Sequence, residues 1–251
     1  MRAVLRAAPL GVLLLAVAGP VRADDEAARK VIDKAIKAHG GAKNLAKFNA
    51  VTFTMKGKFY GMSDDGMDFS GEWSLQRPDK IKLEISVDAS GMTVKFVQVV
   101  NGNKGWTQVM GTTQELDKDA MAEAKENFYA ERVKTLAPLT GKGFKLEPLG
   151  EAKVGKREAV GVKVSHKGHR DVNLYFDKKT SLLLKAERRA KDPMAGTEFT
   201  QADLYDDYKE VEGIQHARKL TILRDDKKFV TGVLSDYKPL EKLDNDVFAK
   251  P

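Results

Sequence analysis

The sequence predicts a mainly β domain with one amphipathic helix before the strands and another in the middle of the series. Three observations carry this. Apolar and polar residues alternate through most of the chain, as on antiparallel strands with one buried and one wet face. Two stretches break the alternation with apolar residues at three- and four-residue steps. No Pro/Ser-rich linker and no repeat of fixed period divides residues 24–251, so they are expected to form one domain.

The first 23 residues stand apart. Arg2 and Arg6 precede or flank the apolar run from Ala7 to Gly19, and Val21-Arg22-Ala23 places small residues before a cleavage point. This is the pattern of a secretory signal peptide. The run is short for a transmembrane helix, which needs about 20 apolar residues; an uncleaved anchor is the competing reading. Cleavage after Ala23 leaves a chain that starts at Asp24, with Arg2, Arg6 and Arg22 removed and the net charge lowered from +7 to +4. Lysines and acids are interspersed, which argues for a solvated surface and against a nucleic-acid footprint. The absence of cysteine excludes disulfides, thiolate metal sites, a cysteine nucleophile and a lipid-modified cysteine.

Asp24 to His39 reads as a helix. Asp24, Asp25 and Glu26 suit its N-terminal dipole, and Ala28, Ile32, Ala35, Ile36 and His39 form one face. Gly40 and Gly41 follow where a left-handed residue commonly ends a helix. "HGG" therefore reads as a stop. A phosphate-cradling loop needs its glycines after a strand and before a helix. A short helical turn follows over Ala42–Ala46, after which the period changes to two. Val51, Phe53, Met55, Gly57 and Phe59 alternate with polar residues; so do Phe69, Gly71, Trp73 and Leu75, and then Ile81, Leu83, Ile85 and Val87. Turns fall at 63–66 and 77–79. From Met92 to Val100 both faces are apolar, which a bulge or a doubly covered strand explains. Asn101-Gly102 marks a hairpin, and Lys104–Val109 runs back.

Asp117 to about Leu136 reads as the second helix, with Met121, Ala124, Phe128 and Val133 on one side and Pro138 beyond its end. Strands resume around Val160–Val164 and Val172–Phe176, then at Leu182–Leu184 and near 197–208, 217–224 and 228–238. The expected total is about ten, several having the usual five-to-six-residue length.

Residues with chemistry are few. His166 and His169 could offer metal ligands with Asp171, but Lys167 and Arg170 beside them repel a cation, and an exposed turn is the simpler account. There is no GxSxG elbow. Asp203, Asp206, Asp207 and Glu210 share a polar stretch with Lys209 and read as a solvated strand end. No enzyme activity, metal or cofactor is expected. What the chain does supply is large apolar side chains at alternate positions. Phe53, Phe59, Phe69, Trp73, Leu83, Ile85, Phe96 and Trp106 could line one concave face; the alternative is that they interdigitate as a dry core.

Five segments resemble the LolA-like outer-membrane lipoprotein-sorting family: 31–59 (opening helix, glycine pair and first strand), 100–108 ("VNGNKGWTQ"), 175–187, 208–222 and 242–251. Together they span nearly all of 24–251. The resemblance implies a single curved antiparallel sheet, an open half-barrel closed by the N-terminal and mid-chain helices. It implies a monomeric periplasmic carrier whose apolar cavity, lined by the eight residues above, takes acyl chains of lipoproteins or another lipid. Transport partners at the inner and outer membranes follow, with no nucleic acid. A non-enzymatic envelope-stress sensor or protein-interaction module of the same fold is the alternative. A hydrolase built on His166, His169 and Asp171 ranks below both.

Overall fold

The computed structural model describes residues 23–89, 91–192 and 195–251. The expected signal peptide therefore lies outside the described residues, apart from Ala23, where helix α1 (Ala23–Ala38) begins. Short α2 (Gly41–Lys47) follows. Strands β1 (Ala50–Phe59), β2 (Met67–Gln76), β3 (Lys80–Ala89), β4 (Met92–Asn101), β5 (Lys104–Val109) and β6 (Thr112–Glu115) precede α3 (Lys118–Lys134). Strands β7 (Lys145–Val154), β8 (Arg157–Ser165), β9 (Val172–Asp177), β10 (Leu183–Lys191), β11 (Glu198–Val211), β12 (Ile214–Arg224) and β13 (Lys227–Leu240) complete the series.

All thirteen strands form one antiparallel sheet in the order β6-β5-β4-β3-β2-β1-β13-β12-β11-β10-β9-β8-β7. The order starts and ends on different strands, so the sheet is not closed: it is an open half-barrel, with β6 and β7 as its edges. The expected ten strands become thirteen chiefly because these edges carry no alternation. β6 is four polar residues. β7 holds Pro148, Gly150 and several charges, and slips register between Pro148 and Gly150, which suits an edge that must not pair further.

The connection between the two edge strands contains α3. Asp117 caps this helix by accepting from Ala120 N at 2.8 Å. Its buried residues are Glu123, Phe128, Tyr129, Ala130 and Val133, which do not share one side. The expected single stripe is thus a correction: Phe128 and Val133 are buried, whereas Met121 and Ala124 are only half-buried, because α3 is held on several sides. Glu123 accepts from Arg170 Nη1 (2.7 Å) and from the backbone of Lys191 (3.2 Å), while Lys134 donates to Asp203 (2.6 Å). Asp203 is 4 % exposed and belongs to this buried pair, not to a solvated strand end.

The main core lies beneath the helices. Ala28, Ile32, Ala35 and Ile36 of α1 pack with Val133 and Tyr129 of α3 onto Leu146, Val162, Val164, Leu174 and Phe176 of β7–β9. The chain enters α2 through Gly40, at φ 118°. A Cβ there would stand 2.1 Å from Gly213 O, so this glycine allows both the turn and the close approach of the β11–β12 hairpin. His39 is buried. Its Nδ1 lies 2.8 Å from Ala35 O and its Nε2 accepts, at a long 3.4 Å, from Leu183 N. That pattern uses the neutral ring with the proton on Nδ1.

The outer face is covered only in part. The C-terminal segment folds back over β3–β6: Phe248 is fully buried, its carbonyl accepting from Asn101 Nδ2 (3.3 Å), and Pro251 O accepts from Thr113 (3.0 Å). β4 is accordingly covered on both faces, with Val99 and Val100 both buried and its register with β3 and β5 unbroken. Double covering, not a bulge, accounts for its apolar run.

Burial pushes the His39 and His216 imidazoles below their usual pKa. The unfolded chain takes up these protons near pH 6.5 while the folded one resists, so folding stability should fall as pH drops from about 7.5 to about 5.5. Urea midpoints measured across that range should decline less steeply in His39→Gln; superimposable profiles would exclude a contribution from His39.

Candidate functional site

Register fixes which side chains share a face, because residues directly opposite on neighbouring strands point the same way. One rung runs Ala186–Asp203–Ile222–Val230–Phe59–Met67. It begins in the main core beneath α1 and α3 and ends outside it. The next runs Tyr205–Leu220–Gly232–Gly57–Phe69–Val87–Val94. Two more are Leu234–Met55–Gly71–Ile85–Phe96–Val109 and Phe53–Trp73–Leu83–Gln98. Apart from Gln98, the residues of these rungs on β12, β13 and β1–β4 are apolar.

Seven of the eight residues singled out from the sequence therefore share the inner face: Phe53, Phe59, Phe69, Trp73, Leu83, Ile85 and Phe96. Trp106 does not. It opposes Val99, in the outer rung Trp106–Val99–Lys82–Ser74–Thr52. None of the eight belongs to the main core cluster. Phe69 is buried, and the other six on the inner face are half-buried. The helices leave these rungs partly exposed because α1 lies over β7–β8 and α3 chiefly over β9–β10.

Side-chain geometry along the rungs is ordered. Phe53 stacks on Trp73 with centroids 5.5 Å apart and planes 4° apart. Tyr237 stacks on His216 at 4.1 Å, and Phe59 meets Phe229 edge-on at 5.1 Å. Burial pushes the Tyr237 hydroxyl up to about 12. Arg77 donates to the carbonyls of Leu45 and Phe48, fastening α2 to the β2–β3 turn beside the Phe53 end of the surface. The C-terminal contributors Leu220, Ile222, Val230 and Leu234 escaped the sequence reading. Their alternation was visible, but only strand pairing shows that they join the rungs of β1 and β2.

A hollow of about 620 Å³ lies where β12, β13, β1 and β2 meet; most of its wall comes from outer-face residues such as Lys56, Lys58, Lys219, Thr221 and Val233, with Gly57, Gly232, Phe69 and Leu220 of the inner rungs completing it. Of the eight predicted residues only Phe69 lines it. Gly57 and Gly232 are partners across β1–β13, and a Cβ on Gly57 would fall 1.8 Å from Thr231 O.

The histidines do other work. The His169 ring stacks on Tyr129 at 3.9 Å, and its Nδ1 lies 2.8 Å from Glu126 Oε1, so this turn holds α3. Burial pushes the Tyr129 hydroxyl up to about 12. Among the described residues no group of three or more His, Cys, Asp or Glu side chains could hold a metal ion.

No family model and no curated protein matches this sequence. Solved structures do. A domain from Vibrio parahaemolyticus assigned to outer membrane lipoprotein sorting superposes with a TM-score of 0.54 at 11% identity, covering 90% of this chain and 97% of its own. A LolA superfamily protein from Nitrosomonas europaea gives 0.51 at 13% identity, covering 89% and 97%. A DUF1329 family protein from Desulfovibrio piger gives 0.54 at 12%, covering 88% and 97%. The chain thus has the LolA-like fold over nearly its whole length. At these identities the likeness concerns the fold alone.

Gly57→Ala should destabilise the protein by about 2 kcal/mol, since the added methyl has to push back a strand backbone. Chemical denaturation checks this, and an unchanged midpoint would mean that the strands separate freely at that point.

Proposed function

We propose that this protein is a non-enzymatic periplasmic carrier that holds acyl chains of lipoproteins, or of another lipid, against the inner face of β12, β13 and β1–β4. The observation that carries this reading is that those rungs are apolar, continuous with the core and yet left half-exposed by the helices. Large apolar surface left uncovered marks a ligand groove or a contact site. Burying each methylene contributes about 0.8 kcal/mol, so a chain of about a dozen carbons can bind usefully after ordering costs. No chemical step is involved. The helix α3 serves as the lid, and exchange occurs with transport partners at the inner and outer membranes once the signal peptide is removed. The shared LolA-like fold supports this reading.

Mass analysis of organic extracts from gently purified protein should reveal co-purified lipid, and a fluorescent acyl probe should bind saturably. Leu83→Asn, on the inner face, should weaken the probe about tenfold or more. Glu84→Gln, its exposed neighbour on the outer face, should leave affinity unchanged. A brominated fatty acid should quench Trp73 in a Trp106→Phe background. Lipid-free protein with no saturable binding would sink the proposal.

A further inference from the structure

The apolar rungs end on a polar one. Arg188 opposes Gln201, Gln201 opposes Arg224 and Arg224 opposes Lys227. Arg224 stands two residues beyond Ile222 on β12, so it shares the face of Ile222, Val230 and Phe59. The extra residue at the β13 register shift is Phe229, whose ring meets both Phe59 and Arg224.

The two arginines of this rung are satisfied unequally. Arg188 donates to Asn127 Oδ1 and to Arg189 O and lies 3.7 Å from Glu123, with its side chain 9% exposed. Arg224 is held by rings instead. Its guanidinium carbon is 3.5 Å from the Phe229 centroid and 4.4 Å from that of Phe199. Its Nε is buried without a hydrogen-bond partner, and its one ion pair among the described residues is Nη1 to Asp192 Oδ2 at 3.9 Å, beyond hydrogen-bond reach. Burial works against this cation more strongly than Asp192 favours it. The side chain is still 35% exposed, so a ligand can reach its Nη groups.

A guanidinium fork matches a carboxylate or phosphate with two parallel hydrogen bonds, and flanking aromatic rings fix its plane and exclude water. Leaving such a fork half-desolvated, with one long ion pair and no hydrogen bond among the described residues, is unfavourable, and an anionic group arriving there relieves it. We propose that Arg224 binds the anionic head, carboxylate or phosphate, of an amphiphile whose chain lies along Ile222, Val230, Phe59 and Phe69. This rests on the lipid-binding reading above and adds a requirement that reading lacks: a preference for charge at one end of the ligand.

Competition against a fluorescent acyl probe, using dodecanoate, dodecyl phosphate and dodecanol on the full chain, tests it. The wild-type protein should bind at least one anion about tenfold more tightly than the alcohol. Arg224→Gln should lose that preference with dodecanol affinity unchanged, and Arg224→Lys should keep part of it. The tighter of the two anions identifies the head group. Equal binding of anions and alcohol, or a preference retained in Arg224→Gln, overturns the head-group site while leaving the apolar site standing. If no probe binds, dodecanol included, the lipid reading itself fails and this inference with it. Should Arg224→Gln not fold by circular dichroism, loss of the preference in Arg224→Lys relative to wild type decides the matter: full retention of both the preference and its dependence on phosphate or carboxylate geometry overturns the fork.

Discussion

Area is the constraint on which the structure depends. Thirteen strands at about 4.8 Å spacing make a surface about 58 Å wide if laid flat, and three helices about 10 Å across cover roughly half of it. Bending the sheet shortens the distance to be covered on its inner side, and joining its two edge strands through α3 brings one helix towards the gap. Even so, the helices lie chiefly over β7–β10, with α2 against β12, and the rungs of β1–β4 are left with apolar side chains and too little to cover them. The dry core and the candidate site are two parts of one continuous surface, distinguished by what lies above it.

That continuity explains the rest of the layout. The rung from Ala186 to Phe59 passes from fully buried to half-buried without a change of face. The pair Gly57–Gly232 sits where the N-terminal and C-terminal strand series join, and bare backbone at that point lets β1 and β13 approach closely. On the outer side, the problem of area is solved by the chain's own end: Phe248 covers the β4 residues that the alternation had left facing out.

Much of this was legible because a strand with one wet face advertises itself. The inner residues from Phe53 to Phe96 follow from alternation alone, the Gly40 stop from the glycine after the last helical turn, and the span of α3 from the break in alternation. The fault over Trp106 was avoidable. A two-residue turn after β4 pairs Trp106 with an odd-numbered residue of that strand, the face of Val97 and Val99, not of Phe96. Other features left no local signal. Asp203 sits in a polar run indistinguishable from a solvated one, and its partner Lys134 is 69 residues away on a helix. Glu123 looks like a helix-surface acid until Arg170, 47 residues on, reaches it. β7 hid because the devices that protect an edge, proline and charge, are those that erase periodicity.

The two long helices share one dry core but differ in how many polar contacts add to it, and this bears on which can act as a lid. α1 is held by Ala28, Ile32, Ala35 and Ile36 in the dry core. Separating those contacts exposes apolar area, at about 25 cal/mol per Å² with nothing in water to offset it. α3 buries Phe128, Tyr129, Ala130 and Val133 as well, and is held besides by Glu123, Glu126, Asn127 and Lys134 reaching side chains and backbone of the strands and the β8–β9 turn. Charged partners that part together are each rehydrated, so the net cost of separation is far below the strength of the pairs, whereas deleting one partner leaves the other buried and is severe. The helix that crosses between the sheet edges thus shares the dry core with α1 through Tyr129, Ala130 and Val133, and adds to it polar contacts that water can replace. On the carrier reading, α1 is the fixed wall and α3 the part that moves.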